Sequence, residues 1–310
     1  MKVKPKALKE GSTIGITAPA SPIYDEDKLN KGIEAFKKLK FNVVIGDTTR
    51  LRKGYLAGDD DKRADELNQL FGDKDIDGII CMRGGYGSGR ILDKLNYKLI
   101  SDNPKVFIGY SDITALHTEI NKRCNMVTFH GPMISSFMKH MDEYTKSKFL
   151  KAVTDINPIG IVDNPKGEEP IKVLSKGEAH GEITGGNLSL ISSTLGTPYE
   201  IDTKDKILFL EDVGEEPYKI DRMLTQLLLS GKLNECSGIV LGQFTNCEPT
   251  NPNESLSLFE VISDRFKFLK IPILYNIFAG HGSTKMTIPL GVYAKITDKG
   301  EFIIEEGGVV

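Results

Sequence analysis

The sequence predicts an α/β protein, with an N-terminal open, parallel, doubly wound sheet followed by a mixed α+β C-terminal domain. Three observations lead there. Over roughly the first 150 residues, short β-rich apolar runs alternate with helical patterns, as in a parallel sheet covered on both faces. At residues 156–170 the text changes to INPIGIVDNPKGEEP, rich in Pro, Gly and charge and poor in periodic apolar positions, which reads as a linker. The length of 310 residues exceeds what one compact core usually organises. The expected domains are therefore 1–155 and 171–310.

In the first domain, strands are expected at Thr13 to Ala18, Phe41 to Ile45, Gly78 to Met82, Val106 to Gly109 and Met126 to Phe129. Helices are expected at Asp27 to Leu39, Asp61 to Phe71 and Asp112 to Arg123. In the first helix, Leu29, Ile33, Phe36 and Leu39 recur at helical spacing, so one face packs on the sheet while lysines face water. Beyond the linker, Gly177 to Gly186 is glycine-dense and strand-like, a texture of barrel corners. Helices are expected at Ser189 to Leu195, Pro217 to Leu229 and Leu256 to Phe266. Strands are expected at Lys206 to Leu210, Gly238 to Gly242, and near Ile273, Val292 and Phe302. The topology of this half is not derivable from the pattern.

Composition narrows the function. Apolar residues make up 39% and charged residues 27%, ordinary values for a globular protein, and a net charge of -3 argues against recruitment of nucleic acid. No apolar run reaches membrane-spanning length, and no signal-peptide core follows the basic N-terminus, so a soluble cytoplasmic protein is expected. Cys81, Cys124, Cys236 and Cys247 form no C-x-x-C pair and read as reduced thiols. No clustered ligand spacing suggests a metal, and no cofactor is expected.

VFIGYSDITALHTEI reads as a buried strand passing through Gly109 and Tyr110 into Ser111, then directly into a helix. A serine at such an elbow is lifted clear of the sheet, and the backbone N–H of Asp112 is directed at whatever the hydroxyl attacks. The helix N-terminus adds partial positive charge where an oxyanion develops. Serine is also a favoured N-cap, and the fragment lacks the second glycine of G-x-S-x-G, so alone it also fits a structural turn.

A second buried strand ends in Arg83-Gly84-Gly85-Tyr86-Gly87-Ser88-Gly89-Arg90. Paired glycines let backbone N–H groups approach a ligand, and parallel strands open their carboxyl ends onto one crevice. Gly84 or Gly85 is thus placed to supply a second oxyanion donor. A tight turn or a phosphate cradle would look similar, although no long helix follows in the dinucleotide-binding manner.

A serine needs a base. His117 lies inside the helix after the elbow and points away from its start, and His140 and His180 sit in surface-like text. His130, ending a strand in TFHGP, and His281, in the glycine-flanked turn IFAGHGSTKMTIPLG, both remain. The orienting acid has a candidate in Glu211, at the end of the apolar strand ILFLE, with Glu215 and Glu216 as rivals.

Together these fragments resemble the LD-carboxypeptidase family, peptidases that remove a terminal D-amino acid from an L-centre in murein peptides. The similarity runs from Gly11 to Gly291 through GSTIGITAPAS, RGGYGSGR, GYSDIT, GGNLSL, FLED, and GH followed by IPLG. The resemblance implies Ser111 as nucleophile, His281 as base, Glu211 as its acid, and oxyanion donors from the Gly84-Gly85 turn and Asp112. It implies a site between the two domains, a muropeptide substrate and, commonly, a homodimer. Arg83 is the candidate cation for the substrate's terminal carboxylate, with Lys285 as alternative, and Tyr86 and Asn187 are further candidate pocket residues. Asn187 equally reads as a helix cap.

The competing resemblance is to microcin-immunity peptidases, which cleave aminoacyl-adenylate analogues. Those usually depart from the RGGYG form and stack adenine on an aromatic, often Trp. Here Arg83 to Gly87 is intact and Trp is absent. A binding protein with a dead site is the remaining alternative.

Overall fold

A computed structural model of the chain describes residues 2–139 and 141–310; His140 lies outside the described residues. The chain divides into two compact units. One comprises the chain up to Asn157 with Lys285–Gly291 and Gly307–Val310, and the other Pro158–Thr284 with Val292–Glu306.

The first unit is built on β1 (Thr13–Thr17), β2 (Asn42–Ile45), β3 (Gly78–Cys81), β4 (Val106–Gly109) and β5 (Thr128–His130). They lie in the order β5-β4-β3-β1-β2, all pairs parallel. β3 and β4 are buried at every position, as strands covered on both faces should be. The helices are α1 (Glu26–Lys37), α2 (Asp60–Gly72), α3 (Tyr97–Asp102), α4 (Thr114–Arg123), α5 (Ile134–Phe137) and α6 (Glu143–Thr154). Asp25 starts α1 by accepting the Lys28 N–H, and Leu29, Ile33 and Phe36 form its buried face. Phe36 meets Phe137 and Phe149 edge-on at centroid distances of 5.1 and 6.4 Å, which ties α1 to α5 and α6.

Two strands of this sheet differ from expectation in their bounds. The strand expected from Met126 starts at Thr128, because Asn125 at φ 49° ends the preceding turn and Met126 makes only an isolated bridge to Val3. The strand expected near Val292 is two strands, Ile288–Leu290 and Tyr293–Ile296, separated by Gly291 at φ 95°. Ile288–Leu290 pairs antiparallel with β5, so the first sheet carries one antiparallel edge strand on five parallel ones.

Strand order reverses between β1 and β3, and in such sheets ligands bind beyond the strands' carboxyl ends at this switch point. The segments leaving those ends are Ala18 to Ser21 after β1 and Met82 to Gly87 after β3, with Tyr110 and Ser111 leaving the adjacent β4.

In the second unit, β6 (Gly160–Ile161), β7 (Lys172–Ser175), β8 (Ala179–Asn187), β9 (Ile207–Val213), β10 (Gly238–Thr245) and β11 (Ile273–Tyr275) join Tyr293–Ile296 and Phe302–Ile304 in an eight-stranded mixed sheet. The run β8-β9-β10-β11 is parallel and the outer pairs are antiparallel. β6 falls within residues 156–170, the stretch that the sequence presents as a linker. Gly185 stands at φ 127°, and a Cβ there would run into the Phe209 carbonyl, so glycine lets β8 approach β9 closely. Helices α7 (Leu188–Ser193), α8 (Pro217–Leu229), α9 (Lys232–Glu235) and α10 (Leu258–Phe266) cover a core that includes Leu208, Leu210, Leu224, Ile239, Leu241 and Ile262. Among the described residues no helix is long and apolar enough to cross a membrane.

Candidate active site

β4 delivers Tyr110 in extended conformation to Ser111, which stands at φ 65°. A non-glycine residue in this left-handed region costs of order 1–3 kcal/mol and persists where surrounding structure enforces it. A 3₁₀ turn, Ser111–Ile113, leads into α4, and neither element has a side-chain cap hydrogen bond. The N-cap role open to Ser111 on sequence is therefore not how these helices begin.

Gly84 packs directly on this elbow. A Cβ at Gly84 would stand 2.8 Å from Ser111 Cβ, 3.0 Å from its Oγ and 3.2 Å from the Asp112 nitrogen. Any side chain at 84 would fill the space beside the hydroxyl, so glycine is required by close approach. Gly85 follows at φ 113° and Gly87 at φ 135°, which shapes the turn. Arg83 is half-buried, with Nη1 3.4 Å from the Pro22 carbonyl. Tyr86 is exposed and meets Tyr55 at a centroid distance of 5.7 Å. Lys285 is buried, with Nζ 3.4 Å from the Tyr110 hydroxyl and 4.6 Å from the centre of its ring.

The second unit assembles an acid and a histidine. Glu211 is buried in β9, and Gly280, at φ 127°, runs so close that a Cβ there would lie 2.7 Å from Glu211 Oε2. The next residue, His281, places Nδ1 2.6 Å from that same oxygen. With Nδ1–H donating to the carboxylate, the lone pair of the neutral ring resides on Nε2, the form a general base needs. Burial raises the Glu211 pKa above the ordinary carboxyl value, opposed by the hydrogen bond from His281. The rivals are elsewhere occupied: Glu216 accepts from Thr250, and Glu215 pairs with Lys219 at 3.3 Å.

Asn187 is buried and serves two neighbours. Its Oδ1 accepts from the Leu190 N–H at 3.2 Å, capping α7, while Nδ2 donates to Asp212 Oδ1 at 3.0 Å and lies 3.4 Å from Glu211 Oε1. Of the other histidines, His130 is buried in β5, opposite Gly109, with its ring 5.9 Å from that of Tyr110. His117 is buried with Nε2 2.9 Å from the Gly109 carbonyl, and His180 is exposed and bonded to Glu305.

Comparison with known proteins settles the lineage. A model of the LD-carboxypeptidase N-terminal domain matches residues 14–131, and one of the LD-carboxypeptidase C-terminal domain matches residues 180–296. The chain belongs to the LD-carboxypeptidase family. It is 41% identical over 311 residues to a Bacillus subtilis protein named "Probable murein peptide carboxypeptidase", covering 100% of this chain and 96% of that protein. It is similar in structure to a muramoyltetrapeptide carboxypeptidase from Oxalobacter formigenes, with a TM-score of 0.83 and 28% identity over 96% of this chain and 99% of that one. It is also similar to the microcin C7 self-immunity protein MccF in complex with aspartyl sulfamoyl adenosine, with a TM-score of 0.88 and 27% identity over 99% of this chain and 100% of that one. The family fold, two-unit and mixed α/β, is the one described above.

In this LD-carboxypeptidase family member, several supporting residues escape a reading of the sequence. Ser21 Oγ accepts the Tyr86 N–H at 3.1 Å, and the buried guanidinium of Arg63 donates to the carbonyls of Gly87, at 2.9 Å, and Pro19. Asp112 Oδ2 accepts the Ser88 N–H at 2.7 Å. Asp212 accepts from both the N–H and the hydroxyl of Ser189. One signal was available for Arg63, which shares helical phase with Leu67 and Leu70 on the buried face of α2.

Proposed function

We propose that the chain is a serine-type LD-carboxypeptidase that releases terminal D-alanine from murein tetrapeptides during cell-wall recycling. The observation that carries this reading is Ser111, a left-handed serine at the end of a central parallel strand, packed against Gly84. Its partners are Glu211 and His281, joined by a 2.6 Å hydrogen bond in the second unit.

In this mechanism neutral His281 takes the Ser111 proton through Nε2 as Oγ attacks the carbonyl joining the L-centre to D-alanine. The oxyanion is held by the Asp112 N–H and one from Gly84 or Gly85. The imidazolium then protonates the leaving amine, and D-alanine departs. Water, deprotonated by the same ring, attacks the ester and frees the tripeptide and Ser111. Glu211 orients the ring and stabilises its charged form. Lys285, buried against Tyr110 beside the serine, suits the substrate's terminal carboxylate better than Arg83, which leans on the Pro22 carbonyl.

The second reading, hydrolysis of an aminoacyl-adenylate analogue, draws on the similarity to MccF. The intact Arg83 to Gly87 turn and the absence of Trp weigh against it. The purified protein, given L-Ala-γ-D-Glu-diaminopimelate-D-Ala and its lysine counterpart, is expected to release D-alanine, read by mass. Tetrapeptide kcat/KM should exceed that for aspartyl or glutamyl sulfamoyl adenosine by on the order of 10²-fold. Comparable or reversed efficiencies would move the chain to the immunity-type activity.

A further inference from the structure

We propose that the carboxylate of Asp112, as distinct from its backbone N–H, is a positioning residue that sets the spacing of the oxyanion donors. The proposal rests on the serine-peptidase reading above. Asp112 is 1% exposed, and its Oδ2 accepts the Ser88 N–H at 2.7 Å. Ser88 follows Gly87, the left-handed residue that closes the glycine turn. The residue whose backbone N–H faces the reacting carbonyl therefore also grips, through its side chain, the loop that carries the other donor.

The geometry leaves little slack. Gly84 sits 3.2 Å, measured from an added Cβ, from the Asp112 nitrogen, so drift of the loop by an ångström would separate the two donors or close the gap between them. Other ties of the turn include one to Ser21, through the Tyr86 N–H, and one to Arg63, through the Gly87 carbonyl. None of these bonds uses the N–H of Gly84 or Gly85. Of the three, only the Asp112 bond links the turn to the serine elbow itself. A charge-assisted bond inside the fold is roughly twice as strong as a neutral one, which suits a brace that must hold two dipoles in fixed register. Asp112 also lies in the 3₁₀ turn that leads into α4, just ahead of a helix N-terminus where a carboxylate is favoured, so a merely structural role is the alternative to be separated.

The test uses the full chain with Asp112→Ala, Asp112→Ser, Asp112→Asn and Ser111→Ala. Each is assayed for D-alanine release and for binding of a peptide boronate in which boron replaces the scissile carbonyl carbon. Ala and Ser should lower kcat on the order of 10²-fold, as loss of an oxyanion donor does, with KM changed by less than about threefold. Boronate affinity should fall by the same factor, while affinity for the tripeptide product stays level. Asn, whose amide oxygen still accepts the Ser88 N–H, should recover about tenfold or more of the loss. Should Ala fail to melt cooperatively, Ser keeps a polar helix start but is too short to reach Ser88, and it decides the matter. Folded variants with unchanged kcat and boronate affinity, a kcat loss without a boronate effect, or Asn no better than Ala each overturn the proposal. If Ser111→Ala is dead while Asp112→Ala is normal, only this inference fails; a Ser111→Ala that keeps near-normal turnover sinks the serine reading itself.

Discussion

Glu211 sits in surroundings that disfavour its charge. Its side chain is fully buried, burial and the neighbouring Asp212 charge raise its pKa, and His281 and Asn187 oppose that shift. Because the folded pKa lies above the unfolded one, ionisation at neutral pH subtracts from stability, and a neutral isostere removes that penalty. Glu211→Gln should therefore melt no lower than wild type at pH 7, yet lose on the order of 10³- to 10⁴-fold in turnover, since an amide stabilises imidazolium poorly. If Ser111, His281 and Glu211 form the proposed triad, Ser111→Ala and His281→Ala should each cost on the order of 10⁴-fold, and the double variant little more, because triad members act as a unit. His130→Ala should cost far less. Single-turnover D-alanine release with parallel thermal melts decides; a folded, active His281→Ala beside a dead His130→Ala would move the base into the first unit. At this scale the sequence offers Glu211 as a candidate, since a carboxylate following the apolar run ILFL is conspicuous, but leaves Glu215 and Glu216 beside it. It does not separate His130 from His281 without the family resemblance, because what joins His281 to Glu211 is the close passage of Gly280, a contact across 70 residues of chain. The Asp112 to Ser88 bond spans 24 residues and involves a backbone N–H, which leaves no residue-type signature at all.

Elements with local punctuation are legible, and those defined by pairing are not. α8 runs over Pro217–Leu229 as expected, because Pro at its first position and periodic Ile220, Leu224 and Leu227 mark it in the text. β7, Lys172–Ser175, is short, largely exposed and held by pairing with β11, so nothing in its own composition announces a strand. His117 shows how an element's packing carries its own prediction. Sequence phase alone places it in α4 after the elbow; the structure buries it and bonds Nε2 to the Gly109 carbonyl, which locks α4 to the end of β4. Burial pulls its pKa from 6.5 to about 4. Between those values the unfolded chain binds a proton that the native state excludes, so stability falls as pH drops through that window. The full loss, reached below about pH 4, is about 3 kcal/mol. In urea titrations at pH 7 and 4.5, His117→Gln should show about 2–3 kcal/mol less acid destabilisation than wild type. Equal losses in the two proteins would mean that His117 does not titrate across folding.

At the scale of the whole chain, the alternation of strands and helices and the change of texture near Asn157 lead from sequence to two units. The return of residues 285–291 and 307–310 to the first unit is not visible that way, because short apolar runs near the C-terminus look alike whichever sheet they join. That return governs whether the first unit stands alone. Ile288–Leu290 covers the edge of β5, register Ile288 to His130, while Ala7 and Pro5 exchange backbone bonds with Val310 at 2.8 and 3.0 Å. Met286, Ile288, Leu290 and Val309 are each at most 2% exposed. Burying four such side chains contributes about 6–12 kcal/mol as an upper estimate, which is comparable to the entire stability of a domain at about 5–15 kcal/mol. A fragment of residues 1–157, although it contains Ser111 and the glycine turn, would lack all of this and expose the β5 edge to pairing with other chains. It is expected to show no cooperative thermal transition and to associate, as read by circular dichroism melts and light scattering. In the full chain, the single change Ile288→Asp, which places a charge against the β5 edge, should lower the melting temperature sharply while leaving the sequences of both units otherwise intact. A monomeric 1–157 fragment that melts cooperatively near the full-length temperature would show that the first sheet closes without its late strand, and that the C-terminal return adds little.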